Sequence, residues 1–299
     1  MTGPVVLGDW GTTRLRLFLV ADGAIARRAD GPGIGAVGAE AAAALREALA
    51  GLTGDTPPEM IFLCGMAGAS GALVEAPYAR CPADEQSWAR LAMRDTFDGA
   101  PLAVAAGLRC GNFADAPDVM RGEETQIFGA IALRRDLARG RHLLIHPGTH
   151  AKWIMIEDGV VERFHTFPTG EIFALLRDRS TLLRARSERG DAGRGFEAGL
   201  ARGRGGLLAH LFEARAAQLL EGRSVGWAEA FLSGALIAAE VREALELARG
   251  AERAVVIGDP VLCGLYERAL AEHGIAVESI DGEACVLAGF RRLAATEAL

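Results

Sequence analysis

One arrangement restricts the fold more than any other: a strand–turn–strand–turn–strand pattern that opens the chain and restarts near residue 142. The run from Pro4 enters the turn Asp9-Trp10-Gly11-Thr12-Thr13 and continues through Arg14 to Val20, where polar and apolar residues at first alternate. Two strands about a Gly-containing turn make a β-hairpin, and Asp22-Gly23 turns the chain into a third strand at 24–28. In the second half, Leu143 to Ile145, Pro147-Gly148-Thr149, Trp153 to Ile156, Asp158-Gly159 and Val160 to Phe164 repeat that order. Helices and strands then alternate. The first half carries a helix from Glu40 to Leu52, strands at 60–64 and 102–105, and a helix from Thr125 to Leu137 with Ile127, Ala130, Ile131 and Leu133 on one face. The second carries a helical stretch over 196–248, a strand at 254–257, a helix at 262–272, a strand at 275–280 and a last helix from 283 to about 295. An internal duplication on this scale predicts an α/β protein of two similar domains, residues 1–138 and 139–299, each a three-stranded antiparallel start followed by βαβα. The last helix is expected to pack back toward the first domain.

The two Gly-Thr turns fall at equivalent places. In the first, Gly11 permits close approach, the hydroxyls of Thr12 and Thr13 suit phosphate oxygens, and Asp9 is placed to hold Mg²⁺ through water. In the second, Gly148 and Thr149 again suit a phosphate and Lys152 adds a compact positive charge. Either turn alone also reads as an ordinary hairpin turn; together they form a two-jawed phosphate clamp. Gly33 to Gly38 matches G-x-G-x-x-G before a helix, but the preceding strand carries Arg27, Arg28 and Asp30 and cannot be the buried central strand of a dinucleotide-binding sheet. That loop lines a substrate cleft or simply turns strand into helix. There is no G-x-x-x-x-G-K-[ST], which excludes a P-loop. Arg121-Gly122-Glu123-Glu124 begins a helix, where carboxylates are favoured by the helix dipole or one of them acts as a base for a hydroxyl nucleophile. Cys64-Gly65-Met66-Ala67-Gly68 follows a buried strand with small residues, leaving room for a ligand or forming a loose loop. Gly258 follows the corresponding strand of the second half and offers a surface for a flat ring.

Composition removes several classes. The 32 basic residues against 39 acidic ones give a net charge of −7, which argues against nucleic acid as the main partner. No apolar run reaches the ~18 residues of a membrane span, and the N-terminal residues lack a signal peptide's basic and apolar regions, so a cytoplasmic protein without a membrane partner is expected. The five cysteines are scattered and read as reduced. Of the 32 basic residues only Lys152 is lysine. Coding bias toward arginine accounts for the imbalance, yet the two side chains are not interchangeable at tight sites. Strand alternation puts His150 and Lys152 on one face and Thr149 and Ala151 on the other.

These motifs together resemble the sugar kinase/Hsp70/actin ATPase superfamily, whose two duplicated actin-like (ribonuclease H-like) domains hold ATP in the cleft between them. Within it, the succession of Asp9–Thr13, Cys64–Gly68, Arg121–Gln126, Pro147–Trp153 and Thr169-Gly170-Glu171 is similar to the 2-dehydro-3-deoxygalactonokinase family. The resemblance implies ATP-dependent phosphorylation of the 6-hydroxyl of 2-dehydro-3-deoxy-D-galactonate, within galactonate degradation, with ATP and Mg²⁺ required. It implies a sugar-acid site in the first domain and a nucleotide site in the second. Asp9 would assist the metal; Gly11, Thr12, Thr13, Gly148, Thr149 and Lys152 would hold phosphates; Gly258 would lie beside the adenosine. Glu123 matches the superfamily's catalytic Asp, with Glu124 one residue away. Arg14, Gly35, Met66, Ala67, Gly68, Arg121 and Thr169 are the candidate sugar-acid contacts, with Arg14 or Arg121 meeting the carboxylate. His146 stands where an Asp is common, which leaves the metal to Asp9. Two alternatives stay open: another sugar or sugar-acid kinase of this fold, and a nucleotide-switched binding protein of the actin or Hsp70 kind. The stretch 196–248 is read as a cap or as the surface of a homodimer.

Overall fold

The computed structural model describes residues 3–54, 56–183 and 190–297. It begins with an antiparallel meander of β1 (Val5–Trp10), β2 (Arg14–Ala21) and β3 (Ala24–Pro32), in which Asp9 pairs with Arg16. Asp22 and Gly23 sit at φ 50° and 77°, the positive values that a two-residue hairpin turn of this hand needs. The short α1 (Ile34–Val37) and α2 (Ala41–Thr53) lead to β4 (Met60–Gly65), which runs parallel to β1. Then follow β5 (Tyr78–Arg80), α3 (Glu85–Arg90), β6 (Met93–Phe97), β7 (Ala100–Val104), β8 (Gly107–Gly111), β9 (Pro117–Met120) and α4 (Glu123–Leu133). The main sheet has the order β3-β2-β1-β4-β7-β6, and β5, β8 and β9 form a separate three-stranded sheet.

The second half repeats the plan. Its meander is β10 (Arg141–His146), β11 (Ala151–Glu157) and β12 (Val160–Phe167). The helices α5 (Thr169–Arg179), α6 (Ala192–Gly203), α7 (Leu207–His210), α8 (Glu213–Leu220) and α9 (Val225–Leu247) precede β13 (Arg253–Gly258). The chain continues through α10 (Pro260–Ala271), β14 (Ala276–Asp281) and α11 (Gly282–Glu297). The sheet order β12-β11-β10-β13-β14 matches the first sheet once its antiparallel edge strand β6 is set aside.

Several boundaries differ from the sequence expectation. The helix expected to reach Leu137 ends at Leu133, because Arg134 is extended (φ −118°, ψ 96°) and a tight 3-10 turn follows. The stretch 196–248 is four helices, broken where Gly206 and Gly222 adopt positive φ. Within it, Gly195, Gly199 and Gly203 of α6 lie directly on the backbone of α9 at Trp227, Phe231 and Ala235. The small sheet, the edge strand β6 and helices α3 and α5 were not anticipated. Among the described residues no helix is long and apolar enough to cross a membrane.

The central core lies between the halves. Phe62 and Trp88 from the first, Leu144 and Ile154 from the second, and Phe128 of α4 with Val286 and Phe290 of α11 belong to one buried cluster. Thus the last helix packs on α4 as well as on its own sheet. The approach is close: a Cβ at Gly129 would lie 1.8 Å from the Cys285 carbonyl oxygen, and one at Gly289 would lie 2.0 Å from that of Thr125. Gly129→Ala should therefore lower the unfolding free energy by about 1–3 kcal/mol, the usual cost of overpacking. Gly264→Ala on α10, where a Cβ meets nothing within 4 Å, should be neutral or stabilising. Urea unfolding of the two variants checks the contrast.

Candidate active site

Both Gly-Thr turns open onto one cavity of 320 Å³. From the first half it is lined by Asp9, Gly11, Thr12 and Thr13 of the β1–β2 hairpin, Met66 after β4, Tyr78 of β5, and Arg121, Glu123 and Gln126 about the start of α4. From the second half come His146, Gly148, Thr149, His150 and Lys152 of the β10–β11 hairpin. A larger cavity of 410 Å³ lies at the opposite end of the second sheet, among Arg134, Arg141, Arg253 and Glu278, and contains none of the motif residues.

Each turn is propped by the helix start that follows its meander. Ile34 and Gly35 donate backbone N–H groups to the carbonyls of Gly11 and Thr12 at 3.1 and 2.9 Å. A Cβ at Gly33 would fall 2.3 Å from the Thr12 oxygen. This assigns the G-x-G-x-x-G stretch: its first glycines buttress the first turn. In the second half, Glu171 donates its N–H to the Thr149 carbonyl at 2.9 Å, and a Cβ at Gly170 would meet the Gly148 oxygen at 2.3 Å. A Cβ on Gly148 itself would meet nothing within 4 Å, so that glycine leaves open space at the mouth of the turn.

The charges around the cavity are arranged in pairs. Asp9 is bound by Arg16, its partner across the hairpin, and also accepts from Cys64 Sγ at 3.7 Å. Lys152 is 3% exposed, not an exposed strand residue, because β11 is covered on both faces from Ala151 to Ile156. His150 precedes β11 and stays exposed, bonding Glu171 at 2.8 Å, so the two do not share an environment. The Lys152 ammonium lies 3.3 Å from Glu123 Oε1 and donates to the His150 carbonyl at 3.3 Å. Glu123 also accepts the Arg121 backbone N–H at 3.1 Å.

Glu124 differs sharply from Glu123. It is fully buried, accepts the Gly122 N–H at 2.6 Å, and does not line the cavity. Burial, and then the charge of Glu123, push its carboxyl from the ordinary 4.5 up to about 8. His146 contributes a neutral ring, since desolvation lowers its pKa, and neither ring nitrogen has a partner.

Other expected contacts lie apart from the cavity. Arg14 is exposed outside it, and Gly35 supports the first turn from behind. Ala67 and Gly68 are buried, and Gly68 lies against the Arg121 guanidinium. Thr169 bonds to Glu240, a buried carboxyl that also accepts from Trp153 Nε1 and Tyr266 Oη at 2.7 Å each. Gly258 ends β13 beside Pro147, with its φ at 157°. The sequence reading missed Arg16, Tyr78, Gln126 and Glu240. Arg16 was accessible in principle, because hairpin register places it opposite Asp9.

Comparison with known proteins identifies the lineage. Residues 9–293 match the model of the 2-keto-3-deoxy-galactonokinase family. The chain belongs to that family of kinases. It is 35% identical over 289 residues to a probable 2-dehydro-3-deoxygalactonokinase of Rhizobium meliloti strain 1021, covering 94% of this chain and 93% of that one. It is 31% identical over 299 residues to the 2-dehydro-3-deoxygalactonokinase of Escherichia coli K12, covering 98% of both. A crystal structure of a candidate 2-dehydro-3-deoxygalactonokinase from Sinorhizobium meliloti superposes with a TM-score of 0.85 at 33% identity, over 98% of this chain and 99% of that one. The fold is accordingly the duplicated actin-like, ribonuclease H-like α/β architecture.

The raised Glu124 carboxyl has a measurable consequence. The folded state keeps a proton that the unfolded chain releases above pH 4.5, so this group's contribution to stability falls as pH rises from about 4.5 to about 8. In Glu124→Gln, which keeps an acceptor for Gly122, that loss disappears. Its Tm relative to wild type should climb steadily between pH 5 and 8.5, measured by thermal unfolding at fixed ionic strength.

Proposed function

We propose that this chain transfers the γ-phosphoryl group of ATP to the 6-hydroxyl of 2-dehydro-3-deoxy-D-galactonate, in galactonate catabolism in the cytoplasm. The observation that carries the reading is the meeting of both Gly-Thr turns, Glu123 and Lys152 around one cavity. In this reading residues 1–138 carry the sugar-acid site and 139–299 the nucleotide site. Gly11, Thr12 and Thr13 hold phosphate oxygens from one side, and Gly148, Thr149 and Lys152 from the other. Gly258, with Pro147 beside it, faces the nucleoside.

The donor set supports a magnesium nucleotide. Asp9 is one carboxylate on the cavity wall, and among the described residues no group of three or more His, Cys, Asp or Glu gathers as metal ligands. Mg²⁺ is held in this way, by one or two carboxylates with waters and substrate phosphates. It supplies neutralisation of phosphate charge when bound, and Asp9, oriented by Arg16, would hold it.

Glu123 is the base. It faces the cavity, the Lys152 ammonium holds it in place at 3.3 Å, and a carboxylate there can take the proton of the 6-hydroxyl. Glu124, buried and proton-bearing, anchors the helix start. Most of the rate enhancement comes from positioning and charge stabilisation, and closure over the cavity excludes water as a competing acceptor. Arg121, and not the exposed Arg14, takes the substrate carboxylate.

A coupled assay over a panel of sugar acids and neutral sugars tests the reading: ADP release should require 2-dehydro-3-deoxy-galactonate, and release independent of any acceptor would refute it. Glu123→Gln should lower kcat by about 10²–10⁴-fold with the ATP dissociation constant unchanged. Lys152→Arg should cost at least about tenfold in kcat/KM, roughly 1.4 kcal/mol, because a wider, planar guanidinium does not fit the buried place of the ammonium. Steady-state kinetics of each variant against wild type decide both.

A further inference from the structure

Two cationic side chains, Arg121 and Lys152, line the cavity, a third, Arg16, stands behind Asp9, and they are not equivalent. Arg16 is answered by Asp9, and Lys152 by Glu123. The Arg121 guanidinium has no carboxylate within ion-pair distance among the described residues; its hydrogen bonds go to neutral groups alone. Nη2 donates to the Ala76 carbonyl at 2.7 Å and Nε to Tyr78 Oη at 3.2 Å, while Nη1 is shielded from solvent without a partner. The guanidinium carbon stands 4.1 Å above the centre of the Tyr78 ring. Burial pushes the nearby Glu124 carboxyl up to about 8, so at neutral pH it is not a full counter-charge. An arginine half-removed from water with an unanswered charge is costly, and the cost is recovered when an anion arrives.

We infer that Tyr78 is the positioning residue that makes Arg121 a carboxylate receptor, so that this pair sets the preference for a sugar acid over a neutral sugar. The inference rests on the kinase reading above. The ring face and the phenol oxygen of Tyr78 together hold the guanidinium in one orientation. A planar fork held in this way can meet a carboxylate without losing further side-chain freedom. Gly68 completes the seat, since a Cβ there would lie 2.7 Å from Arg121 Nη1. Phosphate is a less suitable partner, because the two phosphate-type turns occupy the other walls and bring their own hydroxyls and ammonium.

The test compares two acceptors, 2-dehydro-3-deoxy-galactonate and its C1 amide, which keeps the 6-hydroxyl and loses the charge. Wild type should prefer the acid by about 100-fold or more in kcat/KM. Tyr78→Leu should reduce that preference about tenfold, chiefly through KM for the acid, and Tyr78→Phe by a smaller factor. Arg121→Gln should bring the two acceptors within a few-fold of each other. KM for ATP should stay constant throughout. Tyr78 is 36% exposed, so its variants are expected to fold, and circular dichroism checks that they do. Merely structural damage lowers both acceptors alike, so an unchanged acid-to-amide ratio in Tyr78→Leu overturns the inference. A wild-type enzyme indifferent to the amide overturns it too. Failure of wild type to phosphorylate the acid at all refutes instead the proposed function.

Discussion

Lys152 and Glu123 meet where the two halves of the chain face each other across the cavity. The ammonium comes from the hairpin of the second sheet and the carboxylate from the first turn of α4, so their contact at 3.3 Å fixes one jaw of the cavity against the other. A nearly buried ion pair adds little net stability, because desolvation offsets most of the attraction. What it adds is registry: neither group tolerates being left alone there, so the halves come together in the arrangement that satisfies both. The Gly129–Gly289 approach of α4 to α11 and the central core then hold α4 in that place.

Duplication supplied the frame, and divergence at a few positions made it asymmetric. Both meanders end in a helix start that props the turn of their own first hairpin, through Gly33 and Gly35 in one half and Gly170 and Glu171 in the other. At the end of the first strand, however, one half carries Asp9 paired with Arg16, and the other His146 paired with Lys152. The first jaw therefore presents a carboxylate, and the second a neutral ring beside an ammonium. Under the proposed function, a nucleotide lying between them would meet a metal-holding side and a directly bonding side.

Much of this could be read in the residues. The meanders, their Asp-Gly turns and the two Gly-Thr turns follow from local chemistry, and they appear where the pattern puts them. The paired carboxylates could not be resolved from sequence, because Glu123 and Glu124 differ only in which way the helix turns them. Lys152 was conspicuous as the one lysine, yet its burial depends on what covers the outer face of β11. The small sheet escaped notice because its strands are three to five residues long and interrupted by exposed positions. Tyr78 sits on that sheet, so its meeting with Arg121 was hidden as well. Thr169 belonged to a recognisable motif, but its hydroxyl serves the buried Glu240, a tertiary contact that no spacing announces.

The packing of α11 on α4 also bears on the order of synthesis. α4 carries the carboxylate at the centre of the cavity, yet the surface that seats it is made last among the described elements, after both sheets have left the ribosome. A nascent first half can form its own sheet and phosphate-type turn, but it lacks the brace that holds Glu123 in place. The brace at Glu123 thus waits for α11, and a chain without α11 lacks it.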